Sequence, residues 1–311
     1  LHRILAQGLQ RKVAVAGPVA VVYAAENHPR AADLLRAAVM EEVPEAERAE
    51  VGRHVAFVNT VIPKMSIVIS PPDDLAPLTP ASDRALLTES FNKIMVSQPE
   101  FAERRATFQS GFPPFVIKED LTPFDDAKFL GHNGIHALGG YLGKAAGQSY
   151  VAEWATAPGM LEFLRTAFVD EVGAGLIHRY AGTDALFTPA GFAAFADDLM
   201  VRTVNPHLRD SIERVGRDPE RKLGWDDRLI GAMRVAYAAG IVPWRFAMGA
   251  AAALHALDQR AEPSVLLPAL WRLAAPLPDE AAAMLALVQQ GMAHFQKWRA
   301  AGFPDLMGAW L

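Results

Sequence analysis

A change of periodicity near residue 70 constrains the fold of this sequence more than any other feature. Before it, short runs rich in β-branched residues alternate with helical patterns, as in an α/β arrangement. After residue 121, apolar residues recur almost everywhere at the 3.6-residue spacing of helices, and Gly, Pro or a polar cap bounds each stretch. The sequence therefore predicts an α/β domain over 1–118 and an all-helical domain over 119–311, so that the chain is mostly helical overall.

The individual elements follow from the same periodicities. In the first part we predict helices over 1–12 and 30–42, a strand over 18–24 and a β-rich run over 55–69 that Pro63 interrupts. A loop rich in Pro, Asp, Ser and Thr follows over 71–84. The helices predicted in the second part cover residues 158–179, 190–203, 226–239, 244–259, 264–274 and 278–300.

Composition excludes several classes of protein. The 311 residues are 51% hydrophobic and 21% charged, which is typical of a globular chain. A net charge of −5 argues against a dedicated nucleic-acid binder. With no cysteine, the chain can form neither a disulfide scaffold nor a Cys-containing zinc site. The longest apolar run, over 13–25, is too short to span a bilayer. We therefore expect a cytoplasmic protein that binds neither nucleic acid nor a membrane.

A cluster of polar residues on one predicted helix is the main candidate site. Thr122, Pro123 and Asp125 form a helix start, with a hydroxyl cap and a proline in the first turn. The helix that follows is apolar and glycine-rich, and at 100° per residue its polar side chains share an arc of about 140°. They are Lys128, His132, Asn133 and His136. A solvated helix face would explain this pattern equally well. The histidine spacing also suits a metal, but no third ligand is evident.

The spacing of these residues resembles that of the polyol-specific long-chain dehydrogenases. In that family a lysine is followed five residues later by asparagine and three further by histidine, as Lys128, Asn133 and His136 are here. The small-residue helix then ends in a Tyr-Leu-Gly that matches 141–143. Further matches run in the same order. They are Glu26-Asn27 after a strand, residues 170–180, and the basic segment from Asn205 to Leu229.

The resemblance implies a fold, a reaction and roles for these residues. Residues 1–118 would be the C-terminal portion of a Rossmann-type dinucleotide-binding domain. The reaction would interconvert a polyol or polyol phosphate, such as mannitol 1-phosphate, and its ketose with NAD(H) and without a metal. A lysine serves as the base when burial or neighbouring positive charge favours its neutral form. The resemblance makes Lys128 that base. It also makes His136 and the amides of Asn133 and Asn27 hydrogen-bond donors to the substrate oxygen.

Two further groups of residues receive roles from the resemblance. Glu26 and Asn27 would contact the cofactor, although Asn27 suits the N-cap of the following helix as well. Arg214, Arg217 and Lys222 would bind substrate, and arginines there favour a phosphate over a free polyol. The neighbouring Arg209 and Arg221 are typical of exposed ion pairs. Use of NADP in place of NAD and the oligomeric state stay open.

Three departures from the family pattern qualify these expectations. No glycine-rich turn follows a strand, since Gly173-Ala174-Gly175 lies inside a helical stretch. Pro63-Lys64 stands where the family has an acidic and a basic residue. The chain begins at Leu1, so we expect either a longer gene product or a truncated relative. The alternative is a binding or regulatory relative that has lost nucleotide binding and catalysis. A helical interaction protein with chance motifs is a third reading.

Overall fold

The computed structural model describes residues 1–26, 28, 30–69, 84–99, 111–260 and 262–308. The chain forms two compact units. The first unit comprises residues 1–65 and 90–125, and the second comprises residues 66–89 and 126–311. Most of the loop predicted over 71–84 lies outside the described residues. Among the described residues, no helix is both long enough and apolar enough to cross a bilayer.

The first unit is built on a mixed four-stranded sheet. Its strands are β1 (Ala20–Ala24), β2 (Val55–Val61), β5 (Ile94–Ser97) and β6 (Phe115–Lys118), in the spatial order β1-β2-β5-β6. Strands β1 and β2 are parallel, as are β5 and β6, whereas β2 and β5 are antiparallel. Helices precede β1 and cross from β1 to β2. They are α1 (His2–Ala14), α2 (Ala31–Glu42) and α3 (Glu45–His54).

The crossover from β1 to β2 confirms the predicted α/β pattern. Val39, Val43, Val51 and Val55 pack in one buried cluster beneath α1, so apolar burial holds these helices to the sheet. The predicted strand over 18–24 is largely half-buried rather than buried, because it pairs with β2 alone among the described strands. Sequence reasoning missed α3, β5 and β6.

The second unit combines a β-hairpin with a helical array. The hairpin pairs β3 (Ser66–Ile69) with β4 (Ala85–Thr88) in antiparallel register. The longer helices match the predicted ones. They are α5 (Asn133–Ala145), α6 (Met160–Thr166), α7 (Ala174–Arg179), α8 (Pro189–Thr203), α11 (Ile230–Ala238), α12 (Trp244–Leu257), α13 (Pro263–Trp271) and α14 (Asp279–Ala300). Two further short α-helices of this unit are α9 (Ile212–Val215) and α10 (Pro219–Lys222). Helix α4 (Thr122–Asp126) belongs almost entirely to the first unit's residues.

Helix α12 forms the centre of this array. All of its residues from Phe246 to Leu254 are buried. A methyl group added at Gly291 of α14 would lie 2.4 Å from the backbone of Ala247, so these two helices cross in direct backbone contact. A methyl group at Gly249 would lie 2.9 Å from Leu138 of α5. Such spacing leaves no room for larger side chains, and it holds α5 firmly against the core.

Candidate functional site

The candidate base lies in a turn of π-helix that the sequence did not reveal. Helix α4 passes into a π-helical segment, π1 (Ala127–His132), which continues directly into α5. Lys128 is the second residue of π1 and is half-buried. π-Helical turns occur mostly as short insertions in α-helices, frequently at functional sites. The start of α4 also differs from the prediction. Thr122 is already helical, and its N–H donates to the carboxylate of Asp120 at 2.8 Å.

A second π-helical segment packs against the first. It is π2 (Ala167–Gly173), between α6 and α7. A methyl group added at Gly131 of π1 would lie 2.6 Å from the ring of Phe168 in π2. The arc predicted for the four polar side chains assumed α-helical geometry throughout, which π1 does not have. Hydrogen bonds to the fifth residue rather than the fourth turn the chain less per residue, so the α-helical projection does not hold across π1.

The two histidines of the predicted cluster lie side by side. The ring centroids of His132 and His136 are 4.8 Å apart. Burial, aided by the charge of Lys128 among others, lowers the pKa of His132 well below its usual value. Burial also lowers the pKa of His136 to about 4. Both imidazoles are therefore neutral at pH 7. Nε2 of His136 lies 3.1 Å from the hydroxyl of Thr203, while Nδ1 of His132 is buried without a hydrogen-bond partner among the described residues.

Two ion pairs flank His136 with opposing charges. Arg202 binds Glu89 through two hydrogen bonds of 2.8 and 2.5 Å, and their side chains are only 10% and 5% exposed. Arg214 binds Asp210 in the same bidentate manner, at 2.6 and 2.5 Å. Asp210 and Glu89 raise the pKa of His136, whereas Arg214 and Arg202 lower it. Because these effects oppose one another, burial decides the protonation state of the ring.

A second basic site surrounds Lys222, the last residue of α10, which packs against Tyr141 of α5. Lys222 is 4% exposed, and its ammonium donates to the carbonyl of Val215 at 2.5 Å and lies 5.3 Å from the ring of Tyr141. Burial, with the nearby charges of Arg228, Arg221 and Arg217, lowers the pKa of Lys222 to about 8. Arg221 is an exposed, ion-paired side chain as predicted, bound to Asp218 and Asp227. Arg217 is exposed and forms no ion pair with any described residue.

A buried carboxylate joins π2 to the central helix. Glu171 is 1% exposed and accepts hydrogen bonds from the backbone N–H groups of Arg245 and Phe246 at 3.0 and 3.1 Å. These groups lie in the first turn of α12, where the helix dipole favours a negative charge. Burial nevertheless raises the pKa of Glu171 to about 7, against the lowering effect of these hydrogen bonds. Glu171 therefore fixes π2 to the core rather than facing a ligand.

The glycines of α5 are explained by protein neighbours. A methyl group at Gly139 would lie 2.6 Å from the ring of Trp154, and one at Gly140 would lie 2.9 Å from Val215. One at Gly143 would lie 2.6 Å from the side-chain oxygen of Gln148. These glycines therefore allow neighbouring groups to approach the helix closely, and the approaching groups belong to the second unit itself.

The second unit brings most of the predicted site residues onto one element. Lys128 lies in π1, while Asn133, half-buried, and His136 lie in the first turns of α5. Glu26 is exposed after β1 in the first unit. Asn27 lies outside the described residues. Arg214, a predicted substrate ligand, is held by Asp210.

Sequence reasoning missed several residues of this site. Glu89, Arg202 and Thr203 surround His136, yet they come from a hairpin and a helix far away in the sequence. The run Arg202-Thr203 closes a predicted helix, and a basic residue there is ordinary because it complements the helix dipole. No local signal therefore set these residues apart.

The chain belongs to the mannitol dehydrogenase family. Residues 120–298, more than half of the chain, match the family model described as the mannitol dehydrogenase C-terminal domain. The predicted family resemblance is confirmed by this match. The matched segment contains π1, His132, His136 and the basic segment from Asn205 to Leu229, so the motif that suggested the family lies inside the matched domain.

Two solved structures have the same fold. One is the mannitol 2-dehydrogenase of Pseudomonas fluorescens in a ternary complex with NAD and D-mannitol, with a TM-score of 0.59 and 17% identity. The other is a D-sorbitol dehydrogenase in substrate-free form, with a TM-score of 0.68 and 19% identity. Each match covers 96% of this chain, but only 63% and 64% of the respective structure, so the chain spans just under two thirds of their length. The predicted fold class is confirmed.

Among the described residues, no group of three or more His, Asp or Glu side chains is arranged to hold a metal ion. His132 and His136 have the i,i+4 spacing of metal ligands, but Nε2 of His136 is taken by Thr203. Function without a metal stays a prediction from the family resemblance.

Proposed function

We propose that this chain carries out NAD(H)-dependent oxidoreduction between a polyol or polyol phosphate and its ketose, without zinc, with Lys128 as the base. One observation carries the proposal. Lys128 lies in a π-helical turn beside the buried His132, whose pKa is lowered mainly by burial and in part by the charge of Lys128. Strained or inserted helical geometry beside buried neutral imidazoles is characteristic of functional sites.

The roles of the residues follow from the chemistry of a secondary alcohol. Its oxidation removes a proton from oxygen and a hydride from carbon. The dinucleotide, when bound, supplies the hydride acceptor. In the proposed mechanism, Lys128 takes the hydroxyl proton as a neutral amine. Asn133, Asn27 and His136 donate hydrogen bonds to substrate oxygens and stabilise the developing alkoxide. A neutral His136 suits this role, since it keeps one ring N–H that can donate to the substrate oxygen.

The first unit offers part of a dinucleotide site. Strands β1 and β2 are parallel, so their carboxyl ends lie at one edge of the sheet, where dinucleotides bind in folds of this class. Glu26 is exposed just beyond β1. The N–H of Ala32 at the start of α2 is already bound to Asn59, at 2.8 Å. We therefore propose that Glu26 and Asn27 contact the cofactor at this edge, and we assign no phosphate-binding loop.

The second basic site supports a phosphorylated substrate. Three arginines lie close enough to Lys222 for their charges to lower its pKa, and Arg217 has no acidic partner among the described residues. An exposed guanidinium in such surroundings suits bidentate binding of a phosphate. We propose that Arg217 and Lys222, together with Arg214, bind the substrate, and that a polyol phosphate resembling mannitol 1-phosphate is preferred over a free polyol.

The experiment that tests the function begins with cofactor binding. The 311-residue chain contains six tryptophans, so NADH binding can be followed by energy transfer from indole to nicotinamide. We expect saturable binding, followed by NADH oxidation in the presence of a ketose phosphate. Lys128→Ala should lower the turnover number by about 10²- to 10⁴-fold, the usual contribution of a general base. Lys144 is an exposed lysine of α5, the helix that continues from π1, and Lys144→Ala is the matched control. This variant should behave as the wild type.

One observation favours a second function, that of a non-catalytic binding or regulatory relative. The sequence has no glycine-rich turn after a strand. In that case titration calorimetry would detect a ketose phosphate or polyol phosphate bound to the chain, while NADH would neither bind nor be oxidised. Binding of NADH with turnover that Lys128→Ala leaves intact would retain the enzyme and reject its proposed base.

A further inference from the structure

The hydroxyl of Thr203 contacts the ring of His136 from a distant helix. Thr203 is the last residue of α8 and is 3% exposed. Its Oγ1 lies 3.1 Å from Nε2 of His136, which is 67 residues away in the sequence. The family resemblance gives Thr203 no role, and the proposed mechanism does not use it.

The end of α8 is held so that this contact persists. The residue before Thr203 is Arg202, whose guanidinium forms the bidentate, nearly buried pair with Glu89 and a further hydrogen bond of 2.9 Å to Asp198. A buried, doubly hydrogen-bonded ion pair resists displacement because separating it would leave a charge without solvent. The Thr203 backbone is therefore fixed beside His136 by its neighbour.

The contact also favours one direction of the hydrogen bond. A neutral imidazole has one N–H and one acceptor nitrogen. Within the described residues, Nε2 of His136 is the hydrogen-bond partner of the Thr203 hydroxyl. A buried hydroxyl that only accepted would leave its own proton unpaired, at a cost of about 1–3 kcal/mol. The favoured arrangement has the hydroxyl donating to Nε2, which places the ring proton of His136 on Nδ1.

We propose that Thr203 is a positioning residue that holds His136 in the Nδ1–H tautomer, so that Nδ1 is the nitrogen that donates to the substrate. Within the described residues, the hydrogen bond of the His136 ring uses Nε2, which leaves Nδ1 to donate to the substrate. The tautomer is inferred from the contact between Thr203 and His136, whereas its use in catalysis rests on the proposed function. A ring held in this way donates a hydrogen bond to the substrate and does not act as the base. Lys128 then takes the proton of the alcohol.

The tautomer is measured directly by NMR. The full chain is labelled with ¹⁵N at its nine histidines, and long-range ¹H–¹⁵N correlations are recorded at neutral pH, with His136→Gln identifying the signals of that ring. We expect the nitrogen shifts of an Nδ1–H ring in the wild type and in Thr203→Ser. Thr203→Val keeps the shape of the side chain and removes the donor, so the ring should shift toward the Nε2–H form. An Nε2–H ring in the wild type, or unchanged shifts in Thr203→Val, would overturn the proposal.

Kinetics then test the use of the tautomer. With NADH and the preferred ketose or ketose phosphate, Thr203→Val should lower kcat/KM by about tenfold, the worth of one hydrogen bond, and Thr203→Ser should restore it. Urea unfolding midpoints establish that both variants are folded. If the ring shifts in Thr203→Val but kcat/KM does not fall, the positioning role is rejected. If the wild type has no dehydrogenase activity, the proposed function fails, and with it the positioning role, while NMR still decides the tautomer.

Discussion

Two nitrogen bases with lowered pKa values, His136 of α5 and Lys222 of α10, have different electrostatic surroundings. His136, near the start of α5, lies between two ion pairs whose effects on its pKa oppose one another. Lys222 packs against Tyr141 further along α5, and three arginines there lower its pKa while Asp218 raises it. Burial is the largest cause of the lowered pKa in both cases. The surroundings of His136 are thus balanced in charge, and those of Lys222 are predominantly positive.

This difference separates the two parts of the proposed reaction. A charge-balanced, desolvated pocket suits hydrogen bonding to the neutral hydroxyl or carbonyl of a polyol and its ketose. A cationic cluster in which Arg217 has no acidic partner among the described residues suits an anionic group such as phosphate. The four predictions below test whether the balanced charges near His136 and the excess of positive charge near Lys222 have these consequences. They run from the largest expected effect to the smallest.

Removing one charge from the ion pairs near His136 should lower the free energy of unfolding more than the other changes described below. Glu89→Gln removes the carboxylate from a nearly buried pair and leaves Arg202 incompletely compensated. We expect the free energy of unfolding to fall by about 3–5 kcal/mol, measured by urea denaturation. Asp197→Asn, which breaks the exposed pair with Arg165, is the control and should cost no more than about 1 kcal/mol. Equal losses in the two variants would contradict the distinction between buried and exposed pairs.

Removing the positive charge of Arg217, near Lys222, should weaken the binding of an anionic substrate only. Arg217→Gln should raise KM for a ketose phosphate by about 10- to 100-fold, the worth of a hydrogen bond to a charged group. Its kcat, and its KM for the free ketose, should stay at the wild-type values. Arg260→Gln, another exposed arginine of the second unit, should leave all of these constants unchanged. A rise in KM for both substrates would show that this region does not recognise phosphate.

The lowered pKa of Lys222 should appear as stability gained at alkaline pH. The folded protein releases this proton near pH 8, whereas the unfolded chain holds it to about pH 10.4. Between these values the unfolded state binds more protons, so stability should rise with pH, by at most about 1.4 kcal/mol per pH unit. Lys222→Met should abolish this rise in urea unfolding at a series of pH values. A rise that persists unchanged in the variant would assign it to other groups.

The lowered pKa of His136 should make the stability of the protein depend on pH in the acid range. Its pKa is about 4 in the folded protein and about 6.5 in the unfolded chain. The unfolded state therefore binds more protons between these values, and stability should fall as the pH drops from 6.5 to 4. His136→Gln should flatten this decline only in part, because the pKa of His132 is also lowered. The midpoints of urea unfolding at each pH measure the slope, and an unaltered slope would contradict the burial of a neutral His136.

The part of the fold that could be predicted is the part that local patterns encode. The longer helices of the second unit follow from apolar spacing and punctuation, and the α/β crossover follows from β-branched runs around a helical pattern. Strands β5 and β6 escaped because each has only four residues. The motif of Lys128, Asn133 and His136 identified the family because its spacing along the chain is preserved whatever the helix geometry.

The sequence by itself determined which segments become helices and which residues form the motif. Only the tertiary structure decided how that motif is presented. A π-helical turn is locally unfavourable, and π1 is seated where Gly131 meets Phe168 of π2. The pairing of Arg202 with Glu89, 113 residues away, and the burial of His136 and Lys222 likewise depend on elements distant in sequence. The desolvation of a group depends on all the atoms that surround it, so the spacing of residues along one segment cannot predict it.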